Sequence, residues 1–181
     1  MFKSRKNISA HELVDIIDEN NNVIETVERH IMRRDSLPHR ASYIALRDRQ
    51  GKFLVEIRTL CKDYAPGLFD ACIGGVMQHG EDEIESAKRE LLEEVGVNAD
   101  SDKVSFTALG TYCLPSSNGK YVYAYLYYAV ADVITVRQIS EVSGVMFIEE
   151  SEILRLQESC TKDSVTAFKE IVSRAKENGI Y

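Results

Sequence analysis

A chain of 181 residues is long enough to bury a sizeable core and short enough to form one domain. Its composition, 44% hydrophobic and 28% charged, is that of a soluble globular protein. A formal charge of −7 argues against a nucleic-acid polymer or an anionic membrane as main partner, since both need a basic surface. A small phosphorylated ligand stays open, because bound cations can supply the positive charge.

The N-terminal stretch MFKSRKNISAHELVD carries no apolar segment of the secretory kind. ELVDIIDENNNVIETVE reads as two short strands around an Asn-rich turn, and RHIMRRDSLP as a short helix stopped by Pro38. Together, residues 1–37 form an N-terminal hairpin and helix packed on the rest of a single domain, residues 1–181. ASYIALRDRQGKFLVEIRT alternates apolar residues on both sides of DRQGK, the pattern of a second hairpin. KDYAPGLFD is a loop marked by Pro66 and Gly67.

A helix is expected from about Asp82 to Val95, with Gly96 as its left-handed cap. KVSFTALGTYCLP and KYVYAYLYYAVAD flank a Ser-Ser-Asn-Gly turn and read as paired strands. GVMFI is a short strand. SEILRLQES and KDSVTAFKEIVSRAKEN, within residues 151–181, are amphipathic helices, the second capped by Asp163 or Ser164. The whole is an α+β domain with a mixed sheet between helices.

The longest apolar run, YVYAYLYYAVA, is too short to span a bilayer. Cys61, Cys72, Cys113 and Cys160 are widely spaced with no CxxC pair, which argues against a zinc site or a disulfide framework and for free thiols in a reducing cytoplasm.

At about 100° per residue, Ile84, Ala87, Leu91 and Val95 fall in one stripe that would pack on the sheet. Glu90 and Glu94 stack on one flank with Glu93 beside them. Like charges at this spacing, near the end of the helix where the dipole disfavours anions, are locally costly. Divalent cations remove that cost, and Mg²⁺ seeks such hard oxygen ligands. Arg89 faces Glu93 and can reach the loop carrying Glu81. Gly74 and Gly75 let the backbone approach closely. A solvated acidic helix is the alternative reading of the charges.

The full spacing resembles the Nudix box, G-x5-E-x7-R-E-U-x-E-E-x-G-U, over residues 75–97. Gly75, Glu81, Arg89, Glu90, Leu91, Glu93, Glu94, Gly96 and Val97 match every fixed position. The resemblance implies an α/β/α sandwich and an Mg²⁺- or Mn²⁺-dependent pyrophosphohydrolase acting on a small diphosphate compound. It implies that Glu90 and Glu94 bind metal, with the Gly75 carbonyl often completing the shell. Glu93 is a further ligand or the general base, and Glu81 and Arg89 are the scaffold. Glu141 resembles the acid that family members recruit from outside the box, and an exposed loop glutamate is the alternative.

A finer resemblance, over VDIIDENNNVIETVERHIMRRDSLPHRASYIALRDRQGKFLVEIRT and KDYAPGLFDACIGG, is to the isopentenyl-diphosphate-isomerase-like subgroup, closest to its YfcD-type bacterial hydrolases. The isomerases carry Cys-Gly-His before the box. Here Gly74-Gly75-Val76 stands there, and Cys72 is out of frame, which favours hydrolysis. His30 and His39 could echo isomerase histidines. A non-catalytic diphosphate sensor is a further alternative, disfavoured by the complete box.

Arg58 and His79 are candidate substrate contacts, weighed against a surface ion pair and an exposed loop histidine. Tyr121, Tyr123, Tyr125 and Tyr127 alternate along one strand face, suited to a core, a partner subunit in a homodimer, or a stacked ligand.

Overall fold

The structure, a computed structural model, describes residues 9–62, 64–115, 120–132 and 135–181. The Ser-Ser-Asn-Gly turn expected at 116–119 lies outside them. Strands β1 (Leu13–Ile17) and β2 (Val23–Glu28) form the N-terminal hairpin, and helix α1 (Arg29–Asp35) follows directly. Its C-terminal cap, Ser36, is left-handed at φ 49°, and the chain turns there before Pro38.

Strand β3 (His39–Arg47) is the spine of the molecule. The expected hairpin with β4 (Phe53–Arg58) closes at one pair only, Arg47 with Phe53. Beyond that pair the strands part. Along one edge, β3 runs parallel to β7 (Tyr121–Ala131) from His39 with Val122 to Arg47 with Val130. Along the other edge it meets β1 at Ile16 and then the segment 73–76, through Ile44 with Ile73 and Ala41 with Val76. Strand β6 (Val104–Pro115) extends the β7 side. Strands β5 (Phe69–Asp70) and β8 (Val142–Ile148) flank β4. The result is one mixed eight-stranded sheet.

Alternation along β3 sends side chains to two cores. Tyr43 and Ala45 pack with Phe53, Tyr128, Phe168 and Ile171, beneath helix α4 (Lys162–Glu177). Ile44 and Leu46 pack with Ile73, Leu91, Val95 and Tyr127, beneath helix α2 (Glu83–Val95). Helices therefore cover both faces, the α/β/α sandwich expected from the resemblance. Helix α3 (Glu150–Arg155) precedes α4.

Two local expectations are corrected. The N-cap of α4 is Thr161, not Asp163 or Ser164. The Ser164 hydroxyl instead accepts from the Ala71 N–H, and the Asp163 carboxylate accepts from Tyr43 and Tyr64, so both side chains serve tertiary contacts. Ile84 leaves the expected apolar stripe and is 40% exposed. Helix α2 is rolled so that Glu90 and Glu94 are buried beside Ala87, Leu91 and Val95.

Candidate active site

Helix α2 is held at both ends by local chemistry. The Asp82 carboxylate accepts from the N–H groups of Ile84 and Glu85, and Glu83 and Glu85 complement the dipole of the first turn. Gly96, at φ 70°, closes the other end by donating to Leu92 O.

Arg89 organises the acids around it. Its guanidinium forks onto Glu81 at 2.6 and 3.0 Å, and Nη1 reaches Glu90 at 2.8 Å and Glu93 at 3.3 Å. Glu81 also accepts from the Gln78 N–H, which pins the preceding loop. Burial pushes the Glu81 carboxyl upward, but its bonds to Arg89 and Gln78 outweigh this and hold it below the usual range.

Glu90 and Glu94 are buried, whereas the Glu93 side chain is 51% exposed. Burial raises the pKa of Glu90, and burial together with the neighbouring Glu90 charge pushes Glu94 up to about 8. Lys62 opposes this: its ammonium lies 3.5 Å from Glu94 and also pairs with Glu141. Glu141 is held below the usual range because the Lys62 charge outweighs the effect of its burial.

A third buried acid, Glu56 on β4, is also shifted well upward, by burial first and then by Glu94 and Asp70. Its Oε1 has no hydrogen-bond partner among the described residues. Glu90 and Glu94, in the cavity wall, offer hard oxygen donors suited to a divalent cation, and Glu56 adds a third buried carboxyl that does not line the cavity.

The backbone comes close because two residues lack side chains. A Cβ at Gly75 would stand 2.7 Å from Glu90 Oε1, and one at Gly74 would stand 2.0 Å from the carbonyl oxygen of Ser42. The Gly74 N–H donates to Glu94 at 3.3 Å, and the Gly75 carbonyl accepts from the Ser42 N–H at 2.9 Å. These groups face a cavity of about 840 Å³ lined also by Lys62, Glu141, Arg29, Arg33 and Arg137.

The NUDIX domain family profile matches residues 37–168. The chain belongs to the Nudix family. The Nudix hydrolase YfcD of Shigella flexneri is 37% identical over 174 residues, 96% of this chain and 94% of that protein. Its namesake in Escherichia coli K12 is 36% identical over the same shares. Among solved structures, DR0079 from Deinococcus radiodurans superposes with a TM-score of 0.72 at 24% identity, covering 90% of this chain and 98% of that one. A Nudix chain with every fixed position of the box in place is an acid-anhydride hydrolase of the pyrophosphohydrolase type. No helix among the described residues is long and apolar enough to cross a membrane.

The Nudix box residues Gly75, Arg89, Glu90, Glu93 and Glu94 share one cavity, with Glu81 behind Arg89 and Glu141 on the facing loop. Their carboxylates are drawn apart, however, by Arg89 and Lys62. Among the described residues, the one set of three His, Cys, Asp or Glu ligand atoms within 4.8 Å of one another lies elsewhere, at His11, Glu28 and His30.

Arg58 is corrected. It forms a buried ion pair with Asp70 and donates to the carbonyls of Tyr64 and Ala65, so it is neither a cavity residue nor a surface pair. His79 also lies off the cavity lining, with Nδ1 2.6 Å from Asp15. None of the four alternating tyrosines lines the cavity, and Tyr127 stacks on Phe106 at 5.1 Å within the α2 core.

The relatives lend no support to the isomerase-like subgroup. Val76, at the isomerase histidine position, packs on the small core of Val14, Ile16 and Met32. Cys72 is buried and its thiol is pushed well up by that burial, the opposite of a nucleophile.

Sequence reasoning missed Lys62, Glu56, Arg29 and Arg33. RHIMRR held a signal, three arginines on a short helix, but which arginines turn inward is decided by the hairpin beneath them.

Proposed function

We propose that this Nudix protein is an Mg²⁺-dependent pyrophosphohydrolase, active also with Mn²⁺, that cleaves the diphosphate linkage of a nucleoside-diphosphate-like or other small diphosphate compound. One observation carries the reading: Glu90 and Glu94 are buried beside the Gly74–Gly75 backbone in the wall of a cavity that also presents Lys62 and three further arginines.

Glu90, Glu94 and the Gly75 carbonyl would hold the metal, once Arg89 and Lys62 release the carboxylate oxygens they now contact. A divalent cation held there would supply charge to neutralise the diphosphate and to activate the attacking water. Glu93, the most exposed of the three acids Glu90, Glu93 and Glu94, is the residue that would accept a proton from the attacking water. Glu141 holds Lys62 in place as the acid outside the box. Arg33 and Arg137, which line the same cavity, would supply charge for phosphate oxygens.

The test is cleavage of the diphosphate linkage, read as the phosphate-ester products separated by chromatography, in a panel of nucleoside di- and triphosphates, nucleotide sugars, dinucleoside polyphosphates, NADH, coenzyme A, thiamine diphosphate and isopentenyl diphosphate. Each is run with Mg²⁺ and with Mn²⁺, for wild type and Glu94→Gln. Turnover of one class, reduced by roughly 100-fold or more in Glu94→Gln, is expected. Near-normal turnover in the variant would overturn the metal assignment. Metal-dependent binding without turnover across the panel would make the protein a sensor.

A further inference from the structure

Three metal-ligating side chains converge at the surface, and none of them lines the cavity. His11 ends a 3-10 turn (Ser9–His11), Glu28 ends β2, and His30 is the second residue of α1. His11 Nδ1 lies 2.6 Å and His30 Nδ1 3.1 Å from the same atom, Glu28 Oε2. The two imidazoles meet edge-on, with ring centroids 5.6 Å apart.

Glu28 occupies the N-cap position of α1, where a short acidic or hydroxyl side chain would accept N–H groups of the first turn. It makes no such bond. Its carboxylate is instead turned to the two histidines. The histidine side chains are 63% and 46% exposed, so an ion from solvent can reach them.

We propose that His11, Glu28 and His30 form a second metal site, for a borderline transition-metal ion of the Zn²⁺ class. Zn²⁺ takes imidazole nitrogen and carboxylate oxygen at about 2.0–2.2 Å in a tetrahedral shell, whose ligands stand about 3.3 Å apart. The observed separations of 2.6 and 3.1 Å fall short of that by about 0.7 and about 0.2 Å, and rotamer adjustment of the exposed side chains opens the cluster by that much. Three protein ligands leave one position for water. Imidazole suits Zn²⁺, Ni²⁺ and Cu²⁺, whereas Mg²⁺ demands oxygen and keeps its waters. The cluster and the Nudix box therefore select different ions. The widely spaced cysteines gave no sign of it, because the site uses none of them.

The site has a mechanical consequence. Glu12 follows His11 and Arg29 follows Glu28. These two pair at 2.9 Å and both line the active cavity. A bound ion pins the N-terminal turn to the β2–α1 junction and so steadies the wall that carries Arg29 and Arg33.

The experiment uses the full chain, without a polyhistidine tag, freed of metal. Zn²⁺ and Mg²⁺ are titrated in competition with a chromophoric chelator. Four proteins are compared: wild type, Glu90→Gln/Glu94→Gln, His11→Gln/His30→Gln, and Glu28→Gln. One Zn²⁺ is expected in wild type and equally in the box double variant. Affinity should fall roughly 100-fold in the histidine double variant and roughly tenfold in Glu28→Gln, with Mg²⁺ failing to compete. Zn²⁺ should raise the melting temperature of wild type and of the box variant, and not that of the histidine variant. Circular dichroism checks that the exposed substitutions leave the fold intact. Co²⁺, as a second probe on wild type, should give the visible absorption of a tetrahedral nitrogen–oxygen site. Unchanged Zn²⁺ affinity in the histidine variant, loss of binding in the box variant, or no Co²⁺ band would each overturn the proposal.

Discussion

Lys62 Nζ stands 3.5 Å from Glu94 Oε1 and pairs with Glu141 as well, so one ammonium ties the box helix to the loop before β8. Burial lowers the pKa of Lys62, and the two carboxylates more than restore it. Under the proposed function, Lys62 occupies the electrostatic role that a divalent cation would take in the loaded site. Metal binding at Glu94 would then be an exchange of one cation for another.

Mg²⁺ affinity should consequently depend on pH. Glu94 must lose its proton to bind metal, and its carboxyl is pushed up to about 8. Affinity is expected to rise with pH, by about tenfold per unit below that value, and to level off above it. Lys62→Met, which removes the opposing charge, should move the plateau to higher pH. Isothermal titration across a pH series checks both, and a flat profile in wild type would sink the idea.

Stability without metal should run the other way. The Glu94 carboxyl has a value near 4.5 when unfolded and about 8 when folded, so the folded state holds its proton more tightly. Folding is favoured while the group is protonated, and stability declines as pH rises between those two values. Saturating Mg²⁺ should remove the decline. Urea midpoints at about pH 6 and about pH 8.5, with and without Mg²⁺, decide it.

Arg89 should not be replaceable by lysine. Its fork spans Glu81, Glu90 and Glu93 from one planar group, and an ammonium can satisfy only part of that set. Arg89→Ala is expected to cost about 1–3 kcal/mol of stability and roughly 100-fold in kcat/KM through misplaced carboxylates. Arg89→Lys should recover less than half of the loss in activity. Full recovery would show that charge alone suffices.

Arg58 should behave as a structural residue. Arg58→Gln leaves Asp70 buried without its cation, at a cost of about 3–5 kcal/mol. The fraction that folds should keep the wild-type KM. A raised KM with unchanged melting temperature would instead return Arg58 to the substrate.

The two glycines before the box should fail differently. Gly74 has φ 146° and its added Cβ would strike the backbone of β3, so Gly74→Ala should lose the fold. Gly75→Ala would meet the end of a Glu90 side chain, which can move. It should fold, with weakened Mg²⁺ binding by titration. Equal stability of the two variants would contradict this distinction.

Helix α2, its Asp82 and Gly96 caps and the Glu81–Arg89 fork were legible because each depends on residues within a few turns of one another. The roll of the helix was not. Counting apolar residues placed Ile84 on the sheet, but the segment 73–76 and Lys62 hold Glu90 and Glu94 inside, and Ile84 is left at the surface. Strand β3 tells the same story. Its turn into β4 is written in DRQGK, whereas its parallel partner β7 lies 83 residues along in register, at a separation where no local pattern speaks.

By itself, the sequence determined the box: which acids stand on one helix, how that helix starts and stops, and that the spacing is that of a Nudix hydrolase. Periodicity, capping and fixed motif spacing are short-range properties, and a single sequence states them. Only the tertiary structure decided which carboxylates are buried, that Glu56 joins them from β4, that Lys62 is their counter-ion, and that His11 meets His30 across Glu28. Desolvation and charge pairing depend on which distant segments the sheet brings together, and that pairing is settled by the fold as a whole.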